Sequence, residues 1–167
     1  MQPETPPEGR LLTDKFRPHE ITAMFENLRQ RGERYGMVFN VHDRASNSYL
    51  ALLAGESARD MGRFDEFHEN VFRAFFTDLK NIGRLDVILE IASNSGLNLK
   101  KLKLAVSEGS HQDRLGTAMA EARRLGILSI PAFAFENDEI IVGASPPEIF
   151  RKALEGIKNG TYVNPLV

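Results

Sequence analysis

Few side chains in this 167-residue sequence have the types and spacing that support catalysis or metal binding. There is no cysteine, which excludes disulfides, thiolate metal ligands and a thiol nucleophile supplied by these residues. The four histidines, His19, His42, His68 and His111, lie far apart and form neither an HxxxH nor an HExxH pair. Because metal ligands in proteins usually recur at short, characteristic spacings, we expect no metal site.

The charge pattern argues against several function classes. A net charge of −2 gives no general attraction to nucleic acid or to an anionic membrane, so we expect neither as a partner. The acidic FDEFHEN and basic LKKLKLAV stretches are typical of solvated helix faces. No GxGxxG loop and no evident cluster of Ser, His and Asp indicates a phosphate-binding protein or a hydrolase. The absence of an apolar run of roughly 18 residues and the polar, proline-rich start MQPETPPEGR favour a cytoplasmic location.

The stretch LGILSIPAFAFEND contains the most strand-like segment in the chain. Pro131, directly before it, has no N–H to give a ladder and is unexpected at the entry of an interior strand. The pattern predicts strands at Ala132–Glu136 and Glu139–Gly143, joined by a tight turn at Asn137-Asp138. Both faces of the first strand are apolar, so we expect it to be covered on both sides.

Most of the remaining sequence is predicted to be helical. Apolar residues at helical spacing predict a first helix from Pro18 to about Gly32, and an almost continuous helical block from Asn47 to about Leu125. The segment 37–41 is either a strand or an extended connection. The phenylalanine-rich stretch 64–79 predicts a helix that packs in the core, although its rings could also line a pocket. SPPE predicts a last helix with Ser145 as N-cap, Pro146 at N1 and Glu148 completing a capping box.

Three stretches resemble the cytoplasmic branch of the DsbA-like thioredoxin-fold family: FNVHDRASNSYLALLAGESARDMGRFDEF, GILSIPAFAFEND and IIVGASPPEIF. This branch includes dithiol–disulfide isomerase-like proteins and lies near the 2-hydroxychromene-2-carboxylate isomerases and kappa-class glutathione transferases. The resemblance covers roughly residues 3–157. It implies an α/β, thioredoxin-like (DsbA-type) fold with a large all-helical insertion.

The resemblance also implies which residues face a substrate. It makes Pro131 a cis-proline and leaves the backbone of Ile130 free to pair with an extended peptide or with glutathione. It places Asn47 at a polar position lining the site, with Asn40 and His42 as nearby candidates. Asn47 also precedes a helix, where asparagine is a common N-cap. The substrate-binding candidates are therefore Ile130, Pro131, Asn47, His42 and Asn40, with no catalytic residue.

The family's strand–CxxC–helix unit has no counterpart in this sequence, and the serine that replaces it in the isomerases and transferases has none either. We therefore expect an N-terminally truncated fold. The expected divisions are residues 1–45, with the lead-in and first helix of the thioredoxin-like part; 46–125, the helical insertion; 126–158, the hairpin and last helix; and 159–167, a tail.

Three functions remain open. The first is a DsbA-family thiol–disulfide oxidoreductase/isomerase-like protein without its own redox cysteines, inactive alone or in need of a partner segment. The second is a glutathione-dependent isomerase or transferase, in which glutathione is the cofactor and supplies the thiol; the first reading needs no cofactor. The third is a non-enzymatic interaction module. An exposed sheet edge recruits other strands, so we expect a homo-oligomer or a complementing chain, with a thiol peptide or glutathione as ligand.

Overall fold

The computed structural model describes residues 5–135 and 140–161, which fall into two compact units divided between Leu115 and Gly116. The boundary expected after residue 45 lies inside the first unit, and the one expected after residue 125 lies inside the second. The turn predicted at Asn137-Asp138 and most of the predicted tail lie outside the described residues.

The first unit opens with an extended lead-in that forms β1 (Arg10–Leu11) and a short 3-10 turn (Leu12–Asp14). β1 pairs antiparallel with β2 (Arg44–Ala45). Between them lies α1 (Pro18–Glu33), which buries Ile21 and Phe25 as its spacing predicts. The segment 37–41 is an extended connection rather than a strand.

The helical block forms the core of the first unit. It comprises α2 (Tyr49–Asp60), α3 (Phe64–Phe72), a π-helical turn (Arg73–Thr77, here the π-turn), α4 (Leu85–Asn94), α5 (Leu99–Glu108) and the start of α6 (Gln112–Arg124). Small residues of α2, including Ala54 and Ala58, are fully buried beside larger side chains such as Phe67, Ile88 and Leu102. Removal of these apolar faces from water is the main force that assembles the block.

The second unit contains the rest of α6, β3 (Ala132–Ala134), β4 (Ile140–Val142) and α7 (Pro147–Lys158). β3 and β4 are antiparallel, with Phe133 opposite Ile141. The Phe133 ring meets Phe150 of α7 edge-on, with ring centroids 4.6 Å apart. Phe133 is nevertheless 43% exposed, so the described residues do not cover β3 on both faces, contrary to the expectation.

The predicted capping box of the last helix is also wrong. α7 begins at Pro147, its N-cap is Pro146, and no side chain caps it. Pro147 disfavours helical geometry at the residue before it, and Pro146 is accordingly extended, with ψ of 149°. The helix therefore starts one residue later than predicted, and Ser145 is no longer its N-cap.

Candidate functional site

Of the apolar side chains described in the second unit, the most exposed lie in the loop between α6 and β3. α6 ends at Arg124. Gly126 follows with a φ of +70°, which suits glycine, and the Ile127 N–H closes the helix end on the Ala122 carbonyl. Leu128 is 95% exposed and Ile130 is 87% exposed. Neither the N–H nor the C=O of Ile130 is hydrogen bonded to a residue that the structure describes. The Ile130–Pro131 peptide bond is cis.

Directly after this loop, β3 has one edge that is free among the residues the structure describes. The Gly143 N–H donates to the Pro131 carbonyl at 2.8 Å, which makes these two residues a hydrogen-bonded pair across the hairpin. Antiparallel pairs alternate, so Phe133 and Ile141 form the next hydrogen-bonded pair. The backbone groups of Ala132 and Ala134 therefore point away from β4. Among the described residues, no strand pairs with that side of β3.

The other candidates, Asn40, His42 and Asn47, lie in the first unit. Asn40 holds the extended segment against the π-turn: its N–H donates to the Phe76 carbonyl at 2.8 Å, and its side-chain amide donates to the Thr77 carbonyl at 2.6 Å. His42 is buried and stacks on Phe75 with ring centroids 4.5 Å apart. Burial lowers the pKa of His42, with a smaller contribution from the Arg44 charge and an opposing one from Asp43.

Asn47 is also bonded within the protein. Its side-chain oxygen accepts the Tyr49 N–H at 2.8 Å, although the N-cap of α2 is Ser48. Its amide donates to the Thr5 carbonyl at 2.5 Å, which ties the lead-in to the start of α2. The side chains of Asn40 and Asn47 are thus engaged by protein groups, and their role in ligand binding stays a prediction.

The fold assembles one polar cluster that sequence spacing did not reveal. His111 Nε2 lies 2.8 Å from an Asp60 carboxylate oxygen, and its Nδ1 lies 3.4 Å from Ser57 Oγ. Hydrogen bonds from His111 and Arg114 lower the pKa of Asp60. Ser57 is fully buried and its hydroxyl donates to the Leu53 carbonyl at 3.2 Å, so it is no accessible nucleophile. The cluster instead links α2 to the first turn of α6.

Sequence comparison identifies the family. The DSBA-like thioredoxin domain matches residues 2–155. The chain belongs to this family. The DSBA-like assignment confirms the fold class inferred from the three sequence stretches, and it covers both compact units.

Relatives of this DSBA-like chain are longer than it is. It is 28% identical over 131 residues to YwbO of Bacillus subtilis, covering 77% of this chain and 65% of YwbO. It is 29% identical over 133 residues to the ClpXP adapter protein SpxH of the same organism, covering 77% of this chain and 44% of SpxH. The chain therefore spans less than two thirds of either relative.

A solved structure supports the same fold. The crystal structure of the probable DsbA oxidoreductase SCO1869 from Streptomyces coelicolor superimposes with a TM-score of 0.79 at 20% identity. The superposition covers 91% of this chain and 66% of that one. Within the described parts of the DSBA-like chain, no helix is long and apolar enough to cross a membrane, and no group of acidic and histidine side chains is arranged to hold a metal.

Proposed function

We propose that this chain is the polypeptide-binding part of a DsbA-family thiol–disulfide oxidoreductase/isomerase-like protein. The observation that carries the proposal is that, among the described residues, one edge of β3 has no partner strand and the exposed Ile130 beside it has no backbone hydrogen bond. The 167 residues hold no cysteine, so the thiol of any exchange reaction comes from a separate segment or from the bound peptide. Alone, the chain should be inactive.

Strand addition explains how such an edge would bind. An extended peptide supplies its own N–H and C=O groups, and main-chain hydrogen bonds to Ala132 and Ala134 give affinity without demanding a particular sequence. Small side chains at these two positions let a second backbone approach closely. Leu128 and Ile130, which are almost fully exposed, offer apolar contacts to side chains of the added strand.

A substitution in the free edge tests the proposal. Ala134→Pro removes an N–H that points away from β4, so the hairpin should survive while strand addition fails. Ala134→Ser keeps that N–H and serves as the matched control. The probe is a fluorescein-labelled, cysteine-containing apolar peptide of about six residues, a usual strand length, followed by fluorescence polarisation. We expect binding to the wild type and to Ala134→Ser, and at least about tenfold weaker binding to Ala134→Pro; equal binding by all three refutes the site.

An insulin-reduction assay tests the chemical part. The purified chain should show no turnover with a dithiol reductant beyond the uncatalysed rate, because it contains no thiol to cycle. Turnover by the chain alone would contradict the assignment of the thiol to another segment or molecule.

A glutathione-dependent isomerase or transferase is the alternative, and it has less support. Both proposals use the Ile130 backbone, but the alternative also places glutathione near Asn40, His42 and Asn47, whose side chains are bonded to protein groups or buried. Calorimetric titration with glutathione separates the two proposals, since absence of binding at millimolar concentration removes the alternative.

The partners and location are proposals of the same kind. A free strand edge is expected to pair with a second copy or with a complementing chain. Light scattering over a range of protein concentrations distinguishes the cases: a concentration-dependent dimer supports self-pairing, a co-purifying second polypeptide supports a complementing chain, and a concentration-independent monomer argues against both. A stoichiometric partner without any thiol exchange would favour a non-enzymatic interaction module.

The expected cytoplasmic location is checked by cell fractionation.

A further inference from the structure

His42 is held in the first unit by a set of contacts that suits only its neutral ring. It is 5% exposed and stacks on Phe75 of the π-turn. Its Nδ1 accepts the Arg44 backbone N–H at 3.1 Å, so Nδ1 carries no proton. In the neutral ring the hydrogen therefore lies on Nε2, which is buried and has no partner among the described residues.

The segment 38–45, here the pinned segment, is tied to its surroundings through this region. The Asn40 N–H donates to the Phe76 carbonyl, and Thr77 Oγ1 donates to the Val38 carbonyl at 2.7 Å. On the other side, the Leu12 N–H donates to the Asp43 carbonyl at 2.8 Å. His42 lies at the centre of these bonds and is the one titratable side chain of the segment that is buried.

We propose that His42 is a pH-sensitive pin, whose neutral ring locks the pinned segment onto the π-turn and whose protonation releases it. A second proton must go to Nδ1, where it would face the Arg44 N–H donor and break that hydrogen bond. It would also create a cation in a site that leaves Nε2–H unbonded, which is costly in a buried position.

The charged neighbours do not remove this cost. The Asp43 carboxylate lies 3.8 Å from Nδ1 and favours the cation, but it is largely exposed to solvent and therefore screened. The Arg44 guanidinium opposes the cation, and the π-turn faces the ring with the uncharged Phe75. Burial is the largest effect on the ring and lowers the pKa of His42, which agrees with the geometry.

Release would change the surface of the first unit. Phe75 and Phe76 touch each other with ring centroids 4.8 Å apart, and Phe76 also contacts Phe39. These partly buried rings would become more exposed when the pinned segment leaves the π-turn. Acidification would thus uncover an aromatic surface far in sequence from the free edge of β3.

Amide hydrogen exchange on the intact chain, between pH 7.5 and 5.5, tests the pin. After correction for intrinsic rates, we expect the protection factors of the Asn40, Arg44 and Leu12 amides to decrease as the pH is lowered. The decrease should be at most about tenfold per pH unit, which is the limit when opening is coupled to the uptake of one proton. Protection in the pinned segment should stay below that of the core amide of Leu97, because the opening is local. Protection equal to that of Leu97 at every pH would overturn the proposal.

Two variants separate His42 from other titrating groups. His42→Phe keeps a ring on Phe75 and cannot be protonated, so its exchange should lose the pH dependence; His19→Gln, at an exposed histidine, should keep it. A pH dependence that survives in His42→Phe overturns the proposal. If His42→Phe does not fold, the wild type decides by NMR: Asn40 and Arg44 amide shifts that follow the His42 ring titration support the pin, and shifts that do not follow it overturn the pin.

Discussion

At Gly83 the lead-in packs closely against the rest of the first unit. A Cβ at this residue would lie 2.7 Å from the Pro7 carbonyl oxygen and 3.1 Å from the Asn47 carbonyl oxygen, both of them backbone atoms. A Cβ closer than 3.0 Å to a backbone atom forces a shift, and ordinary contact begins at 3.4 Å, so Gly83→Ala requires the lead-in to move, by about 0.7 Å if ordinary contact is to be restored. The substitution therefore tests how firmly the lead-in is held.

The expected cost follows from the hydrogen bonds that hold the lead-in. The Asn81 amide donates to the Pro7 carbonyl at 2.9 Å, and a shift of about 0.7 Å along this bond would take it beyond hydrogen-bond range. The Asn47 bond to the buried Thr5 would be strained at the same time. One or two lost bonds cost about 1 kcal/mol each, with a further penalty for buried groups left unpaired. The lower backbone entropy of alanine in the unfolded chain offsets about 0.4–1 kcal/mol. The net loss should be about 1–2 kcal/mol.

Urea denaturation followed by circular dichroism measures this loss. Gly116→Ala is the matched control, because it lies inside α6 with no atom within 4 Å of the new Cβ. In a helix that substitution should stabilise by about 0.5–1 kcal/mol. If Gly83→Ala is as stable as the wild type, the lead-in is not seated as described, and the argument from the Pro7 and Asn47 contacts fails.

Two further predictions concern the first unit. Phe67 is 1% exposed and Phe72, on the same helix, is 51% exposed, so Phe67→Ala should cost about 3–5 kcal/mol and Phe72→Ala about 1 kcal/mol. Equal losses in urea denaturation would contradict the burial of Phe67 and the exposure of Phe72. The hydrogen bond from His111 lowers the pKa of Asp60, so the stability it contributes is present above pH 4 and is lost as pH falls through the lowered pKa. Stability profiles between pH 6 and 2 should show this acid-dependent loss in the wild type and a smaller one in Asp60→Asn; identical profiles would contradict it.

The phenylalanine-rich stretch shows how far periodicity predicts this fold. A helix that packs in the core was expected, and Phe67 confirms it. Phe64, Phe72 and Phe76 instead follow one another at spacings of four or eight residues along a more exposed side of the helix. The π-turn adds one residue to a helical turn, as the hydrogen bond from the Asp78 N–H to the Arg73 carbonyl shows. The side chains that follow are therefore rotated about the helix axis relative to an uninterrupted α-helix. A single helical period could not predict that change of phase.

Asn47 shows why the role of a site residue was harder to predict than the fold. The local pattern indicated an N-cap, and the structure gives the side-chain oxygen a related local bond to the Tyr49 N–H. The second bond, from the Asn47 amide to Thr5, joins residues 42 positions apart. The lead-in has no periodicity from which this partner could be recognised. The local sequence pattern therefore indicated a local bond of the Asn47 side chain, whereas its bond to Thr5 depends on the path of the chain.

The residues of β3 explain why the Ile-Pro stretch was the most informative part of the sequence. Side chains of a strand alternate between its faces, whereas its backbone groups alternate between its edges. Phe133 packs on α7 and pairs with β4, while Ala132 and Ala134 leave their backbone groups on the other edge. The Phe133 ring, packed on Phe150, thus anchors the hairpin to α7, while the backbone groups of the alanines on either side of it point to the opposite edge, where the proposed peptide would pair. Replacement of Phe133 by Ala should therefore loosen the hairpin and with it weaken peptide binding, whereas Ala134→Pro should weaken binding in a hairpin that stays folded.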